Sequence, residues 1–109
     1  MIKRTEYDFK NFNAFIGRLR ECKVDLNCYA GQEDRFSEEV RELNLLIRDY
    51  ENKLKIMKLS LNVLNELDQV ILTDYYFSNI PINDIAIKLN VSSNTISKHK
   101  KKSIEELSK

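Results

Sequence analysis

The chain has 109 residues, 42% of them hydrophobic and 32% charged, which fits one small domain with an extension. Two Gly and one Pro in the whole length argue against a loop-rich or all-β fold and leave the all-α class. The net charge of +1 excludes a general polycation, so any affinity for nucleic acid has to come from a local patch.

Met1 to Lys10 is charged and lacks the apolar run of a signal peptide. No apolar segment approaches the length needed to span a bilayer, so a cytoplasmic protein without a membrane partner is expected. Thr5 is placed to cap a helix from about Glu6, with Asp8 in its first turn. Phe9, Phe12, Ile16 and Leu19 form an apolar stripe at three- and four-residue steps, and Leu26 extends it past Lys23. Gly17 weakens this helix slightly. Gly31 is placed to close it, with Gln32 to Arg35 as a polar turn. Cys22 and Cys28 have no second Cys pair and no nearby His, so they read as reduced thiols, with no disulfide framework, metal site or cofactor expected.

The clearest periodicity follows. Phe36, Val40, Leu43, Ile47, Tyr50, Leu54, Met57, Leu61 and Leu64 alternate steps of four and three, a heptad seam flanked by Glu, Arg and Lys. The first helix can fold back on it as an antiparallel partner, giving an N-terminal helical hairpin over residues 1–64. At about 1.5 Å per residue the first helix is shorter than the seam. The remainder has to be covered by the C-terminal helices, by a second copy of the chain, or by another protein. Tyr50, Leu54, Met57 and Leu61 are the expected interface residues, with a homodimer slightly preferred because symmetric pairs are the commonest oligomers.

Asn65 breaks the seam and is placed to cap a new helix, with Asp68 three residues on. Leu67, Val70, Ile71 and the aromatic group Tyr75, Tyr76 and Phe77 then read as a supporting helix and its core. Stacking on single-stranded bases would need an exposed aromatic platform, which a short helix before a turn does not supply. Ser78 to Pro81 reads as a connecting loop.

Pro81 sits where a helix start tolerates it. Ile82, Ile85, Ala86 and Leu89 share one helical face, Asn90 is placed to end the helix in a left-handed conformation, and Val91 is expected as a buried plug. Ser92 or Ser93 caps a second helix. On that helix Ile96, Ser103, Ile104 and Leu107 point one way, while Asn94, Lys98, Lys101 and Lys102 point the other, with Ser97 at the edge. Residues 65–109 thus have the layout of a helix-turn-helix. Ser92 to Lys109 carries five Lys against two Glu, a local excess of positive charge. Amide and ammonium groups suit base edges and phosphates of double-stranded DNA. Asn94, Lys98, Lys101 and Lys102 are expected in the major groove. Ser92, Ser93 and Thr95 are expected on phosphate through their hydroxyls and the helix N-terminus, and Lys88 on the flanking backbone.

Leu64 to Leu107 resembles region four of bacterial sigma factors, and most closely the sigma-like phage regulators of the ArpU and RinA type. The matching residues are Leu64, Ile71-Leu72, Tyr76-Phe77, Asp84-Ile85-Ala86, Leu89, Val91-Ser92, Thr95-Ile96 and Leu107. LuxR-type regulators share the Thr95-Ile96 and His99 spacing. The resemblance implies a helical domain that reads promoter DNA and touches RNA polymerase, here in a bacterial host cell. Two positions depart from the pattern. Lys100 falls near the buried face where an aliphatic residue is usual, and Asn79 replaces the usual Gly of the loop.

Two function classes follow. One is a sequence-specific DNA-binding transcription regulator of a phage or mobile element. The other is an adaptor that binds RNA polymerase or another regulator through the heptad helix, with weak or no DNA binding. An enzyme is not expected. The one His has no nucleophile–base pair or glycine-rich phosphate loop beside it, and reads as a phosphate contact or helix-flank residue.

Overall fold

The computed structural model describes residues 2–109, with side chains from residue 4 onward. Six α-helices are present among them, and no strand. They are α1 (Ile2–Lys10), α2 (Phe12–Cys28), α3 (Ser37–Ser60), α4 (Glu66–Leu72), α5 (Ile82–Leu89) and α6 (Ser93–Leu107). A 3₁₀ turn at Leu61–Val63 follows α3, and a π-helical turn at Thr73–Phe77 follows α4. The all-α class, with a helical hairpin and a helix-turn-helix, is the one expected from the residue pattern. Contacts divide the chain into two compact units, residues 13–56 and residues 1–12 together with 57–109. That division differs from a boundary at 64/65, because α1 and the last turn of α3 cluster with the C-terminal helices.

Residues 13–56 form the hairpin. Near one end the Phe15 ring lies 6.2 Å from Tyr50, and Lys53 Nζ sits 4.6 Å from the Phe15 centroid. At the other end Tyr29 packs 5.0 Å from Phe36. Early α2 therefore meets late α3, and the two run antiparallel. Gly31 makes the reversal at φ 83°, a conformation that costs glycine nothing. The Glu33 carboxylate accepts the Gly31 N–H at 3.1 Å, and backbone donation from Glu33 itself and Gly31 holds its pKa below the ordinary value. Cys22 and Cys28 are free thiols.

The C-terminal part of the heptad seam is the better covered within the single chain. Ile47, Leu54, Met57, Leu61 and Leu64 are buried, while Phe36, Val40, Leu43 and Tyr50 are half-buried. Of the four residues expected to face a partner, Leu54, Met57 and Leu61 are therefore already core, and Tyr50 is partly covered. The exposed apolar side chains of this region are others, Leu59 and Val63 among them.

The first helix departs from expectation. It begins before Glu6, so Thr5 lies inside α1 rather than at its cap. It also breaks at Asn11, whose side-chain amide donates to the Tyr7 carbonyl at 2.8 Å, while its backbone N–H bonds Tyr7 and Asp8 at 3.0 and 3.2 Å. Competition of this kind between a short polar side chain and the helix ladder favours an end over continuation. The piece before the break belongs to the C-terminal unit. Phe9 stacks 5.7 Å from Phe77 and lies 5.6 Å from Tyr76, and Phe12 stacks 3.9 Å from Phe77. The aromatic group thus serves as core.

The rest of that unit follows its sequence signals closely. Asn65 caps α4 by accepting the Asp68 N–H at 2.9 Å. The π turn closes with Ser78 N–H on the Thr73 carbonyl at 3.0 Å, and its wider register turns Tyr76 inward. Asn79 takes φ 56°, so the residue standing where the pattern has Gly adopts the conformation Gly would. Pro81 lies one residue outside α5, in extended conformation. Asn90 ends α5 at φ 58°, ψ 45°, and Val91 N–H reaches back to the Ala86 carbonyl at 3.0 Å. Val91 itself is 39% exposed, so it is not the buried plug expected from its position. The space between the helices is filled by Ile71, Ile85, Ala86 and Ile96, with Tyr75, Ile80, Ile82 and Leu89 packed around them.

Tyr76 is buried and its hydroxyl has no hydrogen-bond partner among the described residues. Burial, with smaller contributions from the Glu6 carboxylate and Tyr75, pushes its pKa up to about 12. An unfolded tyrosine ionises near 10. Between those values the unfolded chain sheds a proton that the folded chain retains. The stabilisation is therefore whole below about pH 10 and is lost as pH rises toward about 12. Tyr76→Phe should hold or raise stability at pH 7 by about 1 kcal/mol, since it removes an unpaired buried hydroxyl. Thermal melts of the two proteins from pH 8 to 11 should diverge further in favour of the variant as pH rises.

Candidate nucleic-acid interface

Ser92 begins the site. Its hydroxyl accepts the Thr95 N–H at 3.1 Å and lies 2.9 Å from the Thr95 hydroxyl, which fixes the start of α6. Ser93 donates to Asn83 Oδ1 at 2.7 Å and ties that start to the first turn of α5. The turn between α5 and α6 is thus held from both sides.

The roll of α6 about its axis is set by what it buries. Ile96, Ser103 and Ile104 are buried and Leu107 is half-buried. Asn94, Ser97, Lys98, Lys101 and Lys102 are all exposed on the other side. At about 100° per residue, Asn94, Lys98 and Lys101 lie within about 60° of one another, with Ser97 and Lys102 on the two flanks. Lys100 is separated from this group. Its ammonium lies 4.3 Å from the Tyr75 ring centroid and 5.9 Å from that of Tyr76. An aromatic face thus accommodates a cation where the sigma pattern has an aliphatic residue.

Not every residue expected to meet DNA is free to do so. Lys88 Nζ sits 2.9 Å from Asp74 Oδ2, an acid on the π turn whose side chain is only 12% exposed. Lys88 therefore braces α5 against the preceding turn. The Ser92, Ser93 and Thr95 hydroxyls are used inside the motif, as described above. His99, expected as a phosphate contact or helix-flank residue, is one-third exposed and has a partner within the fold. Its Nδ1 is 2.7 Å from Asp68 Oδ1, linking α6 to the first turn of α4. Sequence reasoning missed the partners Asp68, Asp74 and Asn83. They stand 31, 14 and 10 residues from the side chains they hold, beyond any local spacing rule.

Residues 60–109 match the family model of sigma-70, region 4. No curated protein and no solved structure matched the chain. In those residues the chain is similar to a DNA-binding helix-turn-helix class that is regulatory rather than enzymatic, and a DNA-binding regulator is the function this supports in general terms. Among the described residues no helix is long and apolar enough to cross a membrane.

Proposed function

We propose that the chain is a sequence-specific transcription regulator of a phage or related mobile element, which binds promoter DNA through α6 and works in contact with RNA polymerase in a bacterial cytoplasm. The observation that carries the reading is the sorting of α6. Its buried side locks it onto α4 and α5, and the side turned to solvent holds an amide, a hydroxyl and three ammonium groups, with no carboxylate before Glu105. A helix about 10–12 Å across fits the major groove, where such groups meet base edges and phosphates. The phage assignment is supported by the pattern shared with the ArpU and RinA regulators. Contact with RNA polymerase is supported by the similarity to sigma region 4.

The test is a titration of duplex DNA over a salt series. Lys98, Lys101 and Lys102 replaced together by Ala should leave the fold intact, because all three are exposed. The log–log salt slope should flatten by roughly 0.9 for each lysine that had neutralised a phosphate, and affinity at 0.1 M salt should fall by up to roughly tenfold for each such lysine. A triple variant that binds like the parent would remove α6 from the groove.

The adaptor reading keeps one observation in its favour. Leu59, Val63, Leu67 and Val70 are exposed apolar side chains around the α3–α4 junction. A protein partner would use these, rather than the buried Leu54, Met57 and Leu61.

A further inference from the structure

We infer that Asn94 is the residue that reads a base, and that the base is adenine, contacted through its N6 and N7 in the major groove. The inference rests on the DNA-binding reading above and goes beyond it by assigning the specificity.

The first turn of α6 offers four polar side chains, Ser92, Ser93, Asn94 and Thr95. Ser92 and Thr95 bond each other, and Ser93 bonds Asn83. Asn94 alone among the four is exposed with no hydrogen-bond partner among the described residues. Nothing in the fold calls for Asn there. It is not a cap, since Ser92 caps, it fills no core, and Asn is a poorer helix former than the Ala, Lys or Glu that suit an exposed helical position. Its place is the N-terminal end of the second helix of a helix-turn-helix, the part of such a helix that reaches base edges.

The chemistry of the face then separates reading from holding. Lys98, Lys101 and Lys102 only donate, and a flexible ammonium accepts a phosphate oxygen as readily as a guanine edge. Ser97 carries a single rotating hydroxyl that suits several bases. Asn94 presents a donor and an acceptor fixed in one plane. In the major groove adenine offers the complement, with an N6 amino donor beside the N7 acceptor. Guanine presents two acceptors there, cytosine a donor, and thymine an acceptor and a methyl group, so each satisfies only half of the carboxamide. Lys98 follows one helical turn later, about 6 Å along the axis, which is close to two base-pair steps. It can therefore hold DNA without competing for the same base pair.

The experiment selects duplexes from a randomised pool with the full chain, and in parallel with Asn94→Ala, whose fold is checked by its thermal melt. The parent should enrich a site with an invariant adenine. The variant should still bind DNA in a salt-dependent way but lose roughly tenfold of the preference at that one position. Placing 7-deazaadenine there, which removes only the N7 acceptor, should weaken the parent and leave Asn94→Ala unchanged. If Asn94→Ala selects the same sequence at every position, the assignment of Asn94 is overturned while the DNA-binding reading stands. If the parent binds no duplex, both fall together.

Discussion

Ile85→Asp should abolish the cooperative melting of residues 57–109. Ile85 is 0% exposed and packs with Ile71, Ala86 and Ile96 at the centre of the helix-turn-helix. An aspartate there meets only apolar side chains, and no cation lies in that cluster to pair with it. The cost of an unpaired buried carboxylate is roughly 3–5 kcal/mol, lowered somewhat if the group takes up a proton instead of remaining charged. At about 0.05–0.15 kcal/mol per residue a unit of this size holds only roughly 3–10 kcal/mol in total, so the change removes a large part of its stability or all of it. Ile87→Asp is the matched control. Ile87 stands on the same helix two residues on and is 78% exposed, so the same substitution should move stability by less than about 0.5 kcal/mol. Thermal melts followed by circular dichroism compare the two. A parental melting temperature for Ile85→Asp would mean that Ile85 is not where the core lies.

The contrast between Ile85 and Val91 marks how far the sequence could be read. Ile85 belongs to a run with helical spacing, and periodicity reports which face is covered. Val91 stands alone in a turn, where no period applies, and its apolar character said nothing about its exposure. Caps were legible for a similar reason. Asn65, Asn90 and Ser92 act on backbone groups three or four residues away, and those distances are written in the chain. The seam residues Leu54, Met57 and Leu61 were legible as apolar but were expected at a partner interface, and they are buried in the single chain, because a heptad repeat does not state whose helix does the covering. The pieces that were not legible are long-range polar pairs and one helix break. Asn11 interrupts an amphipathic pattern that continues on both sides of it, so α1 and α2 looked like one helix. At the candidate site, the exposure of Asn94, Lys98, Lys101 and Lys102 was visible from their angular position on α6. The pairing of Lys88 with Asp74 and of His99 with Asp68 was not, because it depends on acids brought near only by folding.

The Asp68–His99 contact is the second place where one substitution should have a large effect. Asp68 is 6% exposed and sits in the first turn of α4, where the helix dipole favours a carboxylate. His99 stands midway along α6, with its side chain 33% exposed. The bond serves in either protonation state of the ring, since Nδ1–H donates in one neutral tautomer and in the imidazolium alike. His99→Ala would leave the carboxylate buried with its main side-chain partner gone. Because water reaches the histidine side of the contact, the expected loss is below that for a fully enclosed pair, at about 1–3 kcal/mol. Asp68→Asn should cost less, because the amide oxygen still accepts from Nδ1. The double variant should lose less than the two single losses summed, since once the pair is broken the second substitution removes nothing further. The consequence for binding differs from that of the lysines. His99 holds α6 against α4, so His99→Ala should lower DNA affinity without changing the salt slope, whereas removal of Lys98, Lys101 and Lys102 changes both. Urea titrations of the four proteins give the coupling, and a salt series on His99→Ala gives the slope. A slope flattened by about 0.9 in that variant would mean that His99 touches a phosphate after all.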